Sequence, residues 1–246
     1  MKQATRKARR VRVVREDIRE RLLEAALVEF GAKGFDGAST RAIARRIGAH
    51  QPQINYHFAS KEALWSAAVD HLFAELASAM QGVGRAEVLA GSADVAETTT
   101  AFAEMIRRFV RFAAQHPELN RIMVHEATAD SDRVRWMTER HVQPLYGTIR
   151  RLWRRLRKAG IAAPIDDRLF HYVLVGAASI VYVNAPEARL LTGIEPTAAR
   201  WVEAHAEGLV ATLLPNAPRV RSDGRRRSGA RTRRERNLDS NTAVAL

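Results

Sequence analysis

Apolar residues recur along this chain at intervals of three and four, which is the period of an amphipathic α-helix. The first such stretch runs from Glu16 to Ala32 and places Ile18, Leu22 and Phe30 on one face. The pattern returns over Ser60–Met80, Thr98–Gln115, the stretch after Pro117, Asp132–Ala159, Asp166–Val183 and Pro196–Leu214. Residues 185–195, with Pro186 and Gly193, are predicted as a loop. Since no segment shows the alternation of a half-buried strand, the pattern predicts an all-α chain of about nine helices.

The stretch from Ser39 to Lys61 contains two short helical pieces around one tight turn. Ser39 can cap the first piece with its hydroxyl, and Gly48 lies where a helix must end in a left-handed conformation. Pro52 lies in the first turn of the second piece, where a missing N–H has no cost. This arrangement predicts a helix-turn-helix, whose second helix enters the major groove of DNA.

The segment from Leu169 to Val183 is apolar almost all round. It is about fifteen residues long, which is too short to span a membrane comfortably. A helix that is apolar on all sides must be covered on all sides, and Gly176 and Ala177 allow another helix to approach closely. The sequence therefore predicts a homodimer. The predicted interface consists of Leu169, Val173, Gly176, Ala177, Ile180, Trp201 and Leu209.

The charge of this chain is concentrated at its two ends. Residues 1–15 carry seven Lys or Arg and no acid, while residues 215–246 carry nine Arg and three acids. These ends account for the whole net charge of +13, so residues 16–214 are formally neutral. Such runs are typical of solvated, disordered segments that attract DNA phosphates. We therefore predict a basic disordered arm (1–15) able to reach a minor groove, a helix-turn-helix domain (16–66), a larger helical domain (67–214) and a basic disordered tail (215–246).

The order of these features resembles the TetR family of bacterial transcriptional regulators, most densely over residues 16–68. The resemblance rests on Gly34-Phe35 with Thr40, on Ile43-Ala44 with Gly48, and on Tyr56-His57-Phe58 followed by Ser60-Lys61. It implies a homodimer that binds a near-palindromic double-stranded operator, with C-terminal helices that form both the dimer surface and a pocket for a small ligand. It further implies that ligand binding changes the separation of the two recognition helices and releases the operator, and that the regulator most often represses.

Carried onto this chain, the resemblance assigns DNA contacts to both helices of the motif. Arg41 can pair with guanine, and Gln51 or Gln53 with adenine, in the major groove. The predicted DNA-binding residues are Thr40, Arg41, Gln51, Pro52, Gln53, Asn55, Tyr56, His57 and Lys61, of which the last four are interpreted as phosphate contacts. The chain departs from the family pattern at Ala49, His50 and Asn55, which leaves the role of Asn55 open and allows His50 either to contact DNA or to cap the helix.

Aromatic and Met side chains of the C-terminal helices are candidates for a ligand pocket, although such residues at helical spacing also form plain cores. The candidates are Phe102, Met105, Phe109, Met123, Trp136, Met137, Tyr146 and Tyr172. Their character indicates a small apolar or amphipathic effector. The histidines at 125, 141 and 171 lack the spacing of a metal site, so neither a metal nor a cofactor is predicted.

Three classes of function compete on this pattern. The first is a cytoplasmic, nucleoid-associated, ligand-responsive transcriptional repressor. The second is an effector-independent or architectural DNA-binding protein whose basic tails do most of the binding. An enzyme is not predicted, because the chain has no phosphate-binding glycine loop, no nucleophile elbow and no clustered acid pair. With no cysteine, thiol chemistry and disulfides are excluded.

Overall fold

The computed structural model describes the backbone of residues 2–83 and 93–218, and the side chains of residues 18–83 and 93–218. Within these ranges the chain is entirely helical and contains no strand, as predicted. The helices are α1 (Lys2–Gly37), α2 (Thr40–Arg46), α3 (Gln51–His57), α4 (Lys61–Ala79), α5 (Val95–Gln115), α6 (Pro117–Ala127), α7 (Asp132–Met137), α8 (Gln143–Lys158), α9 (Phe170–Val183), α10 (Ala185–Thr192) and α11 (Ala199–Leu213), with a π-helical turn at Thr138–Val142.

The sequence predicts a disordered segment at each end of the chain. At the N-terminal end, however, the backbone of α1 is helical from Lys2. The physical reason is that no Gly or Pro lies between Lys2 and Glu16, so nothing in the backbone interrupts the helix upstream of Glu16. The basic tail beyond residue 218 lies outside the described residues.

Two further segments differ from the expected layout. Residues 185–192, predicted as a loop, form α10, because Pro186 occupies the first turn and Gly193 ends the helix at φ +68°. The long helix expected over Asp132–Ala159 is divided into α7 and α8 by the π turn. Pro144 lies in the first turn of α8, where its missing N–H does no harm.

The helices pack around two hydrophobic cores. The first joins α1–α4 around Leu22, Ile43 and Trp65, and it includes Phe112 and Ile122 from α5 and α6. The predicted boundary at residues 66–67 falls inside α4, which therefore belongs to both parts of the chain. A DNA-binding unit whose core extends into the C-terminal helices is mechanically connected to them.

The second core lies among α5, α8, α9 and α11. Trp153 and Phe170 stack there with ring centroids 3.7 Å apart. His205 ties α11 to α9: its Nε2 donates to the Ala177 carbonyl at 2.9 Å, and its Nδ1 accepts from the Tyr182 hydroxyl at 2.9 Å. Burial raises the pKa of Tyr182 to about 12, so this hydroxyl remains a donor at neutral pH.

The contact between α1 and α6 is unusually close, because two glycines line it. A Cβ on Gly31 would lie 3.0 Å from the Cβ of Glu118. Gly34 interrupts α1 with φ +67° and ψ 177°, and a Cβ there would lie 3.3 Å from Nδ1 of His125. Only glycine adopts this conformation readily, so Gly34 sets how the end of α1 lies against α6.

Replacement of Gly34 by alanine should therefore destabilise the protein by about 1–3 kcal/mol. Urea unfolding followed by circular dichroism measures the change. Gly147→Ala is the matched control: it lies inside α8 with only Arg151 Nη1 nearby, at 3.9 Å, and should stabilise by roughly 0.5–1 kcal/mol. Equal midpoints for Gly34→Ala and the parent chain would show that the backbone at this position is not strained.

Candidate functional site

The helix-turn-helix is held together by the local interactions that its sequence indicates. Ser39 Oγ accepts from the amide of Ala42 at 3.4 Å and caps α2. Gly48 adopts φ +70° and turns the chain into α3. Ile54 and Phe58 anchor α3 in the core at 2% and 6% exposure. The opposite face of α3 is consequently presented to solvent.

Most of the predicted DNA contacts lie on this outward surface. Arg41 is exposed, and its Nε donates to Oε1 of Gln51 at 3.2 Å, so the two predicted readers from α2 and α3 are held side by side. Pro52 and Asn55 are exposed, and Tyr56 is 65% exposed. The remaining half-buried candidates on this surface are Thr40, Gln51 and His57.

Two predicted contacts are engaged within the fold. Gln53 Oε1 accepts from the amide of His50 at 2.9 Å, which supplies a cap for α3 where His50 replaces the usual Ser or Thr. Lys61 Nζ donates to the Asp36 carbonyl at 3.3 Å and lies 4.7 Å from the Phe35 ring centroid. Gln53 and Lys61 thus have partners elsewhere in the fold, whereas Arg41 and Gln51 bond to each other.

An apolar cavity of about 550 Å³, here called the inner cavity, lies between α4, α5, α6, the π turn, α8 and α9. Phe102, Met105, Phe109 and Met123, all predicted as ligand contacts, line it. Phe73 and Leu76 contribute from α4, the helix that begins in the DNA-binding unit. Its size and apolar walls are those of a small-molecule pocket.

A second, more open depression of about 720 Å³, here called the outer groove, adjoins the inner cavity. Met123, Val142 and His171 line both spaces. Met137, Tyr146 and Tyr172, also predicted as ligand contacts, line the outer groove rather than the inner cavity. Trp136 lines neither, because it packs against Trp65 with ring centroids 5.5 Å apart.

Polar side chains at the inner cavity are paired with carboxylates from other helices. Arg140 in the π turn donates from Nε to Oδ1 of Asp70 on α4 at 2.7 Å. His141 Nε2 lies 2.8 Å from the same oxygen, yet burial lowers the pKa of His141 and favours its neutral form. None of these partners is near in sequence, so helical periodicity gives no signal for them.

His116, at the junction of α5 and α6, also lines the inner cavity. Its Nδ1 lies 3.1 Å from Glu118 Oε1 and 3.8 Å from Glu75 Oε2. The hydrogen bond to Glu118 raises the pKa of His116. His171 on α9 has the opposite shift, because burial lowers its pKa.

Aromatic rings form a continuous path from the inner cavity to the core of the DNA-binding unit. Phe73, which lines the cavity, stacks on His141 at 4.4 Å, and His141 contacts Trp136 edge-on at 5.4 Å. Trp136 packs on Trp65, whose ring meets Phe35 at 6.4 Å. The π turn therefore connects the cavity wall to the helix-turn-helix core.

The predicted dimer residues divide between the surface and the interior. Leu169, Val173, Gly176 and Ile180 form an exposed face on α9. Ala177 and Trp201 are half-buried. Leu209 is 8% exposed and packs in the second core, so it is already covered by its own chain. Thus α9 is not covered on all sides within one chain: one apolar face remains open.

The fold and these surfaces define a helix-turn-helix regulator carrying a cavity-bearing helical domain. The family described as bacterial regulatory proteins, tetR family, matches residues 22–68, and the tetracyclin repressor-like C-terminal domain matches residues 99–213. Together these two matches cover about two thirds of the chain, with the N-terminal model preceding the C-terminal one. The chain belongs to the TetR family of transcriptional regulators.

Individual relatives are distant. The probable HTH-type transcriptional regulator YttP of Bacillus subtilis (strain 168) is 26% identical over 118 residues, which is 48% of this chain and 54% of YttP. The class A tetracycline repressor protein from transposon 1721 (Escherichia coli) is 39% identical over 54 residues, 22% of this chain and 25% of the repressor. The matches thus span about half and a quarter of these relatives. The crystal structure of AibR in complex with isovaleryl coenzyme A and operator DNA aligns with a TM-score of 0.59 at 16% identity, over 80% of this chain and 98% of AibR, and shows the shared fold.

Across residues 2–83 and 93–218, none of the helices combines the length and apolar content that crossing a bilayer requires.

The carboxylates around His116 lead to a titration prediction. The His116 imidazole should titrate above its ordinary pKa of 6.5, and Glu118→Gln should lower that pKa by removing the largest cause of the shift. By linkage, the protonated pair stabilises the fold below about pH 6.5, and this contribution is lost as the pH rises through the raised pKa. Proton NMR titration of the histidines measures it, with His171, whose pKa is lowered, as an internal control. An unshifted His116 in the parent chain would contradict the pairing.

Proposed function

We propose that this protein is a homodimeric transcriptional repressor that leaves a near-palindromic operator when a small apolar or amphipathic effector enters the inner cavity. The observation that carries the proposal is the position of α4. Its first turns pack in the core of the DNA-binding unit through Leu64 and Trp65, while Phe73 and Leu76 wall the cavity. A ligand that displaces the cavity wall acts on the same helix that contributes to the core in which the recognition helix is anchored.

Operator reading is proposed for α3 in the major groove, supported by α2. Arg41 supplies a bidentate donor suited to guanine, and Gln51 supplies an amide suited to adenine. Their mutual hydrogen bond at 3.2 Å reduces the freedom that each side chain must lose when it meets DNA. Asn55, Tyr56 and His57 are proposed as contacts to the phosphate backbone, which fix the register of the protein on the duplex.

Dimerisation is proposed through the exposed apolar face of α9. Leu169, Val173, Gly176 and Ile180 recur at helical spacing on that face. The two faces of a twofold dimer meet as the same surface, which suits a palindromic operator. Covering this face removes several large apolar side chains from water, and such burial is the dominant favourable contribution in association.

The path from effector to operator is proposed to include the π turn. Val142 and His141 line the cavity from this turn, and His141 contacts Trp136, which in turn packs on Trp65 of α4. Single π turns inside α-helices occur frequently at functional sites, because they can shift the register of the residues that follow. A displacement of this turn by the effector would reach the helix-turn-helix through two routes, α4 and the aromatic path.

The reading of DNA is tested with Arg41→Ala. Loss of the guanidinium should weaken binding to a footprinted operator by about 1–3 kcal/mol and relax selectivity at one base pair. Fluorescence anisotropy with operator and with random DNA at matched salt measures both effects. Arg45→Ala, which removes a second exposed arginine of α2, is the control for general charge loss. If the parent protein binds operator and random DNA within a few-fold of each other at physiological salt, the repressor proposal fails in favour of architectural binding.

The dimer is tested with Ile180→Glu, which places a charge on the open face of α9 where Ile180 is 51% exposed. Sedimentation velocity should show a monomer, because an unpaired charge in an apolar interface is costly to desolvate. Val28→Glu on α1, 45% exposed and remote from α9, should leave the dimer intact. A dimer that survives Ile180→Glu would place the interface elsewhere.

A further inference from the structure

The inner cavity has almost no free charge on its walls. Its lining residues include no Asp or Glu and a single arginine, Arg140. The guanidinium of Arg140 is engaged by both carboxylate oxygens of Asp70, at 2.7 and 3.3 Å. A ligand carboxylate or phosphate would have to compete with Asp70 for this cation.

The second cationic group at the cavity is balanced in the same way. His116 lies between Glu118 at 3.1 Å and Glu75 at 3.8 Å, so two carboxylates surround one imidazole. An anion near His116 would have to compete with Glu118 and Glu75 for the imidazole. A cationic ligand would also find no carboxylate on the cavity walls. Neither sign of charge is therefore matched inside.

The uncharged polar side chains on the lining fall into two groups. The hydroxyls of Thr148 and Ser179 donate to carbonyls of their own helices, those of Pro144 and Val175. By contrast, Asn120 of α6 and His171 of α9 make no side-chain hydrogen bond to any residue that the structure describes. An amide and an imidazole can each donate or accept without requiring a charged ligand.

We propose that the effector is an uncharged, mainly apolar molecule whose polar group, such as a hydroxyl, ketone, ester or amide, is recognised by Asn120 and His171. The inference rests on the proposed function, because it assumes that the inner cavity holds the effector. Its physical basis is that a buried charge needs a counter-charge and hydrogen bonds, whereas a neutral polar group needs hydrogen bonds alone. On this distribution of charge, we expect free fatty acids, coenzyme A thioesters and alkylammonium ions to bind more weakly than neutral molecules.

The proposed ligand class differs from that of the AibR complex. AibR is in complex there with isovaleryl coenzyme A, a ligand that carries anionic phosphates. At 16% identity the likeness concerns the fold alone, so the lining of the cavity sets the ligand class of each protein separately.

The inference is tested with three probes that share one alkyl chain and differ in the head group: decan-1-ol, decanoate and decyltrimethylammonium. Isothermal titration calorimetry of the 246-residue chain at pH 7.5 should show decan-1-ol binding at least about tenfold more tightly than either ion, because only the ions bury an unmatched charge. Asn120→Leu and His171→Phe should each weaken decan-1-ol binding roughly threefold to tenfold, which is the usual effect of one lost neutral hydrogen bond.

A gain of binding separates this inference from simple damage to the fold. Asp70→Asn removes the carboxylate partner of Arg140, so decanoate affinity should rise about tenfold while decan-1-ol affinity stays unchanged. Asp130→Asn is the control, because Asp130 pairs with Arg135, which does not line the inner cavity. Thermal unfolding of each variant confirms that it is folded.

Decanoate binding as tightly as decan-1-ol to the parent protein would overturn the inference, as would no binding of decan-1-ol up to its solubility limit. An Asp70→Asn variant with unchanged decanoate affinity would also overturn it, since Arg140 would then not be held by Asp70. Operator binding by the same preparation is measured in parallel. Its absence would refute the proposed repressor function and leave the order of the three head groups as a separate result.

Discussion

The rest of the structure depends on the continuity of α4. One uninterrupted helix from Lys61 to Ala79 contributes Leu64, Trp65 and Ala68 to the core of the DNA-binding unit and Phe73 and Leu76 to the wall of the inner cavity. Because close-packed interiors transmit displacement rather than absorb it, the two ends of this helix cannot move independently. The cavity and the helix-turn-helix are thereby parts of one mechanical unit, although the sequence divides naturally into two domains near residue 66.

Two other contacts reinforce this unit. The glycines Gly31 and Gly34 let α1 approach α6, and α6 carries Leu119, Asn120 and Met123 on the cavity lining. In addition, Trp136 contacts both His141 of the π turn and Trp65 of α4. The inner cavity is thus lined by α4, α6 and the π turn, each of which is in contact, directly or through Trp136, with the core of the DNA-binding unit.

The net charge of the chain and the ion pairs of its helices lie in different parts of the protein. The net charge of the chain lies at its termini, while several cations of the described body are paired with carboxylates, as Arg107 is with Glu207 and Arg111 with Glu203. The same pairing occurs at the cavity, where Asp70 pairs with Arg140 and two glutamates lie beside His116. The charged groups nearest the cavity therefore already have partners within the protein.

The local elements of this protein follow from its sequence, because caps, glycine turns and the 3.6-residue period act over a few residues. Ser39, Gly48 and Pro52, together with the apolar pairs on each short helix, predict the helix-turn-helix, and the apolar periods predict most of the helices that the structure describes. The spacing of the pocket candidates did not separate cavity from core: Phe102, Met105, Phe109 and Met123 line the inner cavity, whereas Met137, Tyr146 and Tyr172 line the outer groove. Only the tertiary structure decided which side chains contact each other across helices. Trp136 packs on Trp65, Leu209 lies in its own chain's core, and Arg140 pairs with Asp70, seventy residues away. Those outcomes depend on how helices pack against each other, and no local periodicity specifies which helix will be the neighbour.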